Sequence, residues 1–237
     1  MAVSFVSSIS ANTGTASALT VSGTVPGTVA VGDIAMLVCS GERDLVPSIS
    51  FPTSGYTSVE AATSGTLMTS QKGWKRITAG DLGGTVSGTV TTSRRMGLAV
   101  AFYRGANDPV FTHSGIIINN TADLAAEHPN ITPSADNAML VSLMAGNNNV
   151  SPFQRTYTSA GTWTERVEAS SQSTTANNAT AYIADKLLTG GSGVSQTGNV
   201  VTDAAEKFAY YASTASLTPQ GTVIPAGWDE VRLLTRT

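Results

Sequence analysis

The chain has 237 residues, of which 12% are charged and 41% are hydrophobic. Its formal net charge of −3 argues against nucleic-acid binding, which needs a basic footprint. With one cysteine and two histidines, it can build neither an internal disulfide framework nor a multi-cysteine or histidine-rich metal centre. We therefore expect no cofactor and no metal site.

The first residues lack a basic stretch followed by an apolar core, so we expect no secretory signal. No apolar run approaches the ~18 residues that a membrane-spanning helix needs, so we expect no membrane insertion.

Short β-rich runs alternate with clusters of Gly, Ser, Asn and Pro along the chain, a pattern typical of an all-β sandwich or barrel. Strands are predicted, in chain order, at residues 3–9, 18–24, 34–40, 56–62, 67–77, 85–91, 97–104, 110–118, 138–145, 163–169, 179–188, 208–217 and 230–234. In the seventh of these runs, Leu98, Val100 and Phe102 are predicted to share one face, opposite Ala99, Ala101 and Tyr103. Two weaker patterns predict helices at 203–211 and 122–127, and the repeat described below predicts loop and strand at 203–211 instead.

The two N-terminal runs are separated by a turn signal, Asn-Thr-Gly-Thr. We expect Val3, Phe5, Leu19 and Val21 to be packed strand positions. The alternative is an arm that pairs with a neighbouring subunit, because a strand at a sheet edge is a template for another chain.

The chain repeats itself in a fixed order of landmarks. The matched segments are 33–38 with 136–141, 55–61 with 161–169, 68–72 with 182–186, and 88–103 with 198–213. A conserved order at a drifting offset is typical of a duplicated unit with loop insertions. The half-repeats are approximately 1–108 and 109–237.

One half cannot bury its apolar face alone, so the repeat predicts an antiparallel β-sandwich, jelly-roll-like, built from two similar halves. We expect a single domain over 1–237. The alternative is two tandem small sandwiches joined by residues 104–133. The strand-like character of Val110, Phe111 and 116–118 favours one domain.

At residues 33–38, 52–59, 102–105 and 136–141 the chain resembles a group of tailed-bacteriophage virion proteins. Their pattern is an Asp-x-x-Leu-Val strand, a Pro/Gly-Trp-Thr-like turn and a strand ending in Tyr-Arg-Gly, after which the first element recurs. The turn is repeated at 161–166 and at 225–228, and Tyr56 stands where it usually carries Trp. The resemblance implies a β-sandwich in a virion, as a minor tail, fibre or capsid-surface decoration protein. It carries no catalytic residue.

Trp74 lies within the most compact basic cluster of the sequence, formed by Lys72, Lys75 and Arg76. An exposed Trp could stack on a sugar, whereas a Trp that covers one end of a core is the more common case. On a chain of low charge, the basic side chains fit an acidic neighbouring subunit. These four residues are the candidate glycan or partner contacts.

Other reactive residue types favour structural roles. Cys39 alternates with apolar neighbours and is predicted to be buried and inert. Glu60 and Glu168 could form a glycosidase pair, but their equivalence in the repeat favours two structural surface positions.

We therefore expect a non-enzymatic phage virion structural protein, a tail-tip, fibre or minor tail component that forms subunit interfaces with other virion proteins. A homo-oligomer, with a trimer as the first expectation, fits closed symmetry in a particle. The protein would be made in the host cytoplasm. The alternatives are a capsid decoration protein and a carbohydrate-binding module that contacts host cell-surface glycan. A glycan-degrading enzyme ranks below them.

Overall fold

The structure, a computed structural model, describes residues 2–42, 48–51, 55–64, 68–148, 158–159, 162–171 and 178–221. Over these ranges the chain forms β-strands and one short 3-10 turn, so the all-β prediction is confirmed. No helix within them is long and apolar enough to cross a bilayer. The predicted strand at 230–234 and the turn at 225–228, with Trp228, lie outside the described residues.

The first half contains eight strands in two sheets. They are β1 (Ser4–Asn12), β2 (Ala18–Thr24), β3 (Ile34–Glu42), β4 (Ser48–Ser50), β5 (Thr57–Ser64), β6 (Met68–Arg76), β7 (Thr85–Arg94) and β8 (Met96–Arg104). The inner sheet has the order β1-β8-β3-β6-β5, and the outer sheet has the order β2-β7-β4. All pairs are antiparallel, and strands distant in sequence lie side by side, as in a jelly roll.

The second half repeats this order. Its strands are β9 (Val110–Glu127), β10 (Met139–Asn148), β11 (Thr158–Ser159), β12 (Thr164–Ser170), β13 (Asn178–Leu187) and β14 (Val200–Leu217). The inner sheet runs β9-β14-β10-β13-β12, and the short β11 also pairs with β14. The predicted construction from two similar halves is therefore confirmed.

Two long strands of the second half each take the place of two strands in the first. β14 corresponds to β7 and β8 together, because the short β11 pairs with β14 as β4 pairs with β7. β9 corresponds to β1 and β2 together, because it pairs with β14 as β1 pairs with β8 and β2 pairs with β7. Ala126, near the end of β9, packs with Met144 and Tyr182 on the outward face of the inner sheet. The end of β9 therefore contributes to the packing on this face, where the first half has its separate outer sheet.

The structural repeat is shifted by two residues from the sequence match of 33–38 with 136–141. β3 begins at Ile34, opposite Tyr103 and Arg76, whereas β10 begins at Met139, opposite Leu217 and Leu187. Ile34 is thus equivalent to Met139. The positive φ angles before these strands agree, at Gly32 (93°) and Asn137 (57°).

The β-bulges of the edge strands β5 and β12 support the alignment in which Ile34 is equivalent to Met139. β5 has its extra residue between Ser58 and Glu60, and β12 has its own between Glu165 and Val167. A shift by an even number keeps every side chain on the same face of its sheet. The alternation of apolar residues therefore could not distinguish the two alignments.

The two inner sheets pack face to face through the main core. It includes Met36, Val38 and Ala101 from the first half and Val141 and Ile183 from the second. A second core lies between the two sheets of the first half and includes Leu98, Val100 and Phe102. The predicted separation of these three from Ala99, Ala101 and Tyr103 is confirmed.

The packing of the halves follows an approximate twofold axis. β1 faces β12 as β9 faces β5, and β3 crosses its counterpart β10. The first half has two sheets, the second half has one six-stranded sheet, and the main core between the inner sheets is continuous. The single domain over 1–237 stays a prediction.

The N-terminal segment packs within the sandwich of its own chain, where β1 is an edge strand of the inner sheet. β1 pairs with β8 along its length, Val3 and Val21 are buried, and Phe5 packs against the main core, as predicted. The prediction for Leu19 is wrong, because its side chain is 54% exposed at the register shift between β2 and β7.

Both predicted helices are wrong. Residues 203–211 lie in β14, and 122–127 lie in β9. These two strands pair with each other, so sheet pairing overrides the local helical preference.

Candidate functional site

The four candidate contact residues lie on β6 but do not form one exposed patch. Lys72 contacts the second half, and Trp74 packs against the main core. Lys75 points to the opposite face of the strand, toward Phe51. Because β6 lies between β3 and β5 and is covered on both faces, Lys72 and Lys75 are 0% and 3% exposed, whereas Arg76 keeps 35% of its side chain exposed.

Lys72 lies at the interface between the two halves. Its Nζ donates a hydrogen bond to Ser213 Oγ on β14 at 2.8 Å, and it lies 3.8 Å from the ring centroid of Tyr211. Glu60 is its cross-strand neighbour on β5, and the carboxylate of Glu60 also hydrogen-bonds Ser213. The Ser213 hydroxyl therefore bridges an amine and a carboxylate of the opposite half.

Burial sets the electrostatics of this cluster. It lowers the pKa of Lys72 well below its ordinary value, and the charge of Glu60 opposes this effect. Burial also raises the pKa of Glu60, against the opposing effects of Lys72 and the Ser213 hydroxyl.

Lys75 forms a buried ion pair inside the first half. Its Nζ lies 2.7 Å from Asp81 Oδ1 and 4.9 Å from the ring centroid of Phe51. The other oxygen of Asp81 accepts hydrogen bonds from the Thr78 backbone N–H at 2.9 Å and from its hydroxyl at 2.7 Å. The pair thus fixes the 3-10 turn (Ala79–Asp81) that connects β6 to β7.

Arg76, at the end of β6, contacts two loops, the one between β2 and β3 and the one between β8 and β9. Its guanidinium donates to the carbonyl oxygens of Gly32 and Ala106 at 2.9 and 3.1 Å, and to Asp108 Oδ1 at 2.8 Å. The basic side chains of β6 therefore connect parts of this chain.

A second polar cluster at the interface escaped the sequence analysis. Arg166 Nε lies 2.7 Å from Asp185 Oδ2, and its guanidinium lies 4.5 Å from the ring centroid of Phe5 in the first half. Burial, followed by the negative charge of Asp185, raises the pKa of the buried Tyr103 hydroxyl. Burial raises the pKa of Asp185, although Arg166 opposes the effect.

A signal for this cluster was present in the sequence. Asp185 follows Ala181 and Ile183 at intervals of two in a predicted strand, so it occupies an inward position. An acidic residue at such a position needs a buried partner.

Asp33 and Arg104 come from two separate sequence motifs and meet in the structure. They lie at the end of the first half where Arg76 also lies. Arg104, of the Tyr-Arg-Gly element, donates from Nε and Nη2 to the two carboxylate oxygens of Asp33, which begins the Asp-x-x-Leu-Val element, at 2.9 and 2.8 Å. Asp33 also accepts the Ala30 backbone N–H at 2.8 Å, and Arg104 reaches the Thr28 carbonyl oxygen. The motif is thus a structural clamp.

Cys39 belongs to the second core, and Glu60 and Glu168 occupy different positions on the repeat. Cys39 is fully buried, as predicted, and burial raises the pKa of its thiol to about 12. The bulges make Glu60 equivalent to Val167, so Glu60 and Glu168 are not equivalent positions. Within the described ranges, no three Asp, Glu, His or Cys side chains converge as metal ligands.

Comparisons of the chain with protein-family models, with curated proteins and with solved structures found no match.

Proposed function

We propose that this protein is a non-enzymatic structural component of a tailed-bacteriophage particle, a tail-tip, fibre or minor tail protein that forms subunit interfaces. The observation that carries the proposal is the jelly-roll-like β-sandwich, in which two halves of similar strand order share a continuous core. Jelly rolls are a common architecture of viral capsid and lectin domains, so this support is an analogy of fold. The resemblance at 33–38 and 102–105 adds to it.

The use of the buried charged side chains also supports a structural role. The buried charged side chains of these clusters all interact with groups of the same chain. They are Lys72, Lys75, Asp33, Asp81 and Asp185. Their contacts fix turns or join the two halves, so they serve the architecture.

In this proposal the protein assembles in the particle as a closed homo-oligomer, for which a trimer is the expected state. Its neighbours are other virion proteins. A capsid decoration protein is the alternative within the same class.

The test is to fuse an affinity tag to the gene in its phage genome, purify the particles on a density gradient and analyse them by mass spectrometry and cryo-electron microscopy. We expect the protein in purified particles, with tag density on the tail. Density on the head would identify a decoration protein. Abundance in the lysate combined with absence from purified particles would contradict the proposal.

Glycan binding is tested separately on the isolated protein. Because Trp74 packs against the main core, we expect no retention on a glycan array or on host cell walls. Retention that is lost in Trp74→Ala, with Trp163→Ala as the matched control, would identify a receptor-binding module instead.

A further inference from the structure

The two inner sheets have the same strand order, but the polar groups at their interface differ. The equivalences set by the bulges and strand starts assign each interface residue a counterpart in the other half. The counterparts of the Lys72 cluster are Ile183 for Lys72, Val167 for Glu60, Ala99 for Ser213 and Gly97 for Tyr211. The polar cluster therefore lies on one side of the approximate axis, and the equivalent position on the other side holds apolar and small residues.

The second polar cluster shows the same asymmetry. The counterpart of Asp185 is Trp74, and that of Tyr103 is Leu217. Trp74 and Leu217 both belong to the main core. The two polar clusters therefore occupy different positions on the repeat. Asp185 has its ion-pair partner, Arg166, in its own half, whereas Lys72 donates its hydrogen bond to Ser213 of the opposite half.

The Ser213 hydroxyl and the Tyr211 ring meet Lys72 only when a first half packs against a second half. If two first halves packed in this geometry, Lys72 would face Ala99 and Gly97 and lose both of these groups. A buried charged or polar group that loses its partner is strongly unfavourable.

We propose that the Lys72 cluster makes the inner sheet of the first half specific for the second half and rejects pairing between two first halves. The partner that this surface fits is thus the second half of the same chain. The need for such discrimination follows from the repeat, because similar apolar sheets would otherwise also fit themselves.

The first test is a double-mutant cycle on the full chain. Ser213→Ala presents Lys72 with the residue that it would meet in another first half. We expect this change to lower the folding equilibrium constant, measured by urea unfolding, on the order of tenfold or more. In a Glu60→Val/Lys72→Ile background the same change should cost less than about threefold, because no buried charge remains to be satisfied. An equal loss in both backgrounds would contradict the proposal.

The second test traps identical halves directly. Ser40 Oγ lies 3.2 Å from the Gly146 carbonyl oxygen where β3 crosses β10, and the counterpart of Gly146 is Gly41. In a pair of first halves, Ser40 of each copy would lie beside Gly41 of the other. A Ser40→Cys change in a Cys39→Ala background therefore forms an intermolecular disulfide when identical halves pair.

The Ser40→Cys protein is refolded at high concentration in oxidising buffer, with and without Glu60→Val/Lys72→Ile/Ser213→Ala. We expect several-fold more disulfide-linked dimer, on a non-reducing gel, in the protein without the polar cluster. Asp108→Ala, which removes an exposed carboxylate, is the matched control and should match the parent. Equal dimer in all three proteins would overturn the proposal.

Discussion

Lys72 and Lys75 lie three residues apart on β6 and are both buried, yet they depend on different kinds of partner. Lys75 forms an ion pair with Asp81, which is itself fully buried. Lys72 donates to the neutral hydroxyl of Ser213, and its carboxylate neighbour Glu60 is only half-buried. Removal of the Lys75 amine therefore leaves a buried carboxylate, whereas removal of the Lys72 amine leaves a neutral hydroxyl and a half-buried carboxylate.

We expect Lys75→Met to lower the free energy of unfolding by about 3–5 kcal/mol, because it leaves the Asp81 carboxylate buried without its counter-charge. The matched change Lys72→Met should alter it by no more than about 1 kcal/mol or stabilise the protein, since Glu60 retains access to water. Urea denaturation of both variants measures the difference. Equal losses would show that the partner's burial does not matter.

The Asp33–Arg104 clamp provides a second test. Asp33→Ala removes the acceptor of the Ala30 N–H and of both Arg104 bonds, so we expect a loss of about 1–3 kcal/mol in the free energy of unfolding. The control is Asp108→Ala, which breaks an exposed pair with Arg76 and should cost less than about 1 kcal/mol. A loss in Asp33→Ala no larger than in the control would contradict the structural role of the motif.

The pH dependence of stability should carry the signature of Lys72. Its folded pKa lies below the ordinary value of 10.5, so between these two values the unfolded chain binds more protons than the folded one. The Lys72 contribution to stability therefore rises with pH through this window. As the pH rises toward the ordinary pKa of 10.5, the free energy of unfolding of the natural protein should increase relative to Lys72→Met. Parallel curves for the two proteins would refute this assignment.

Gly97 allows close approach of the two halves at the start of β8. A Cβ atom there would collide with the Ala169 carbonyl oxygen of the second half, a backbone atom that cannot move aside alone. We expect Gly97→Ala to destabilise the protein by about 1–3 kcal/mol. Gly27→Ala is the matched control, because open space surrounds that position. Thermal unfolding of both variants should show a lower Tm for Gly97→Ala alone.

Cys39 should be unreactive in the folded protein. Its thiol is fully buried with a pKa of about 12, so almost no thiolate forms at about pH 8. We expect negligible labelling by a thiol-specific chromogenic disulfide in buffer and one equivalent in denaturant. Rapid labelling without denaturant would contradict the burial of this side chain.

The sequence alone determined the fold class, the repeat and the two-faced character of the strands. The alternation of Leu98, Val100 and Phe102 with Ala99 and Ala101 was sufficient because a strand places successive side chains on opposite faces. The order of the landmarks was likewise sufficient for two similar halves. Both signals are local or periodic, so they can be detected without knowing which strands pair.

Only the tertiary structure decided the exact alignment of the halves and the fate of the basic cluster. A two-residue shift leaves the alternation unchanged, so the match of Asp33 with Asp136 could not reveal that Ile34 corresponds to Met139. In the sequence, Lys72 and Lys75 resembled an exposed basic patch. Their burial depends on contacts with Ser213 and Asp81, which the local sequence does not show. Ser213 lies 141 residues away, on a strand that approaches Lys72 only when the two halves pack together.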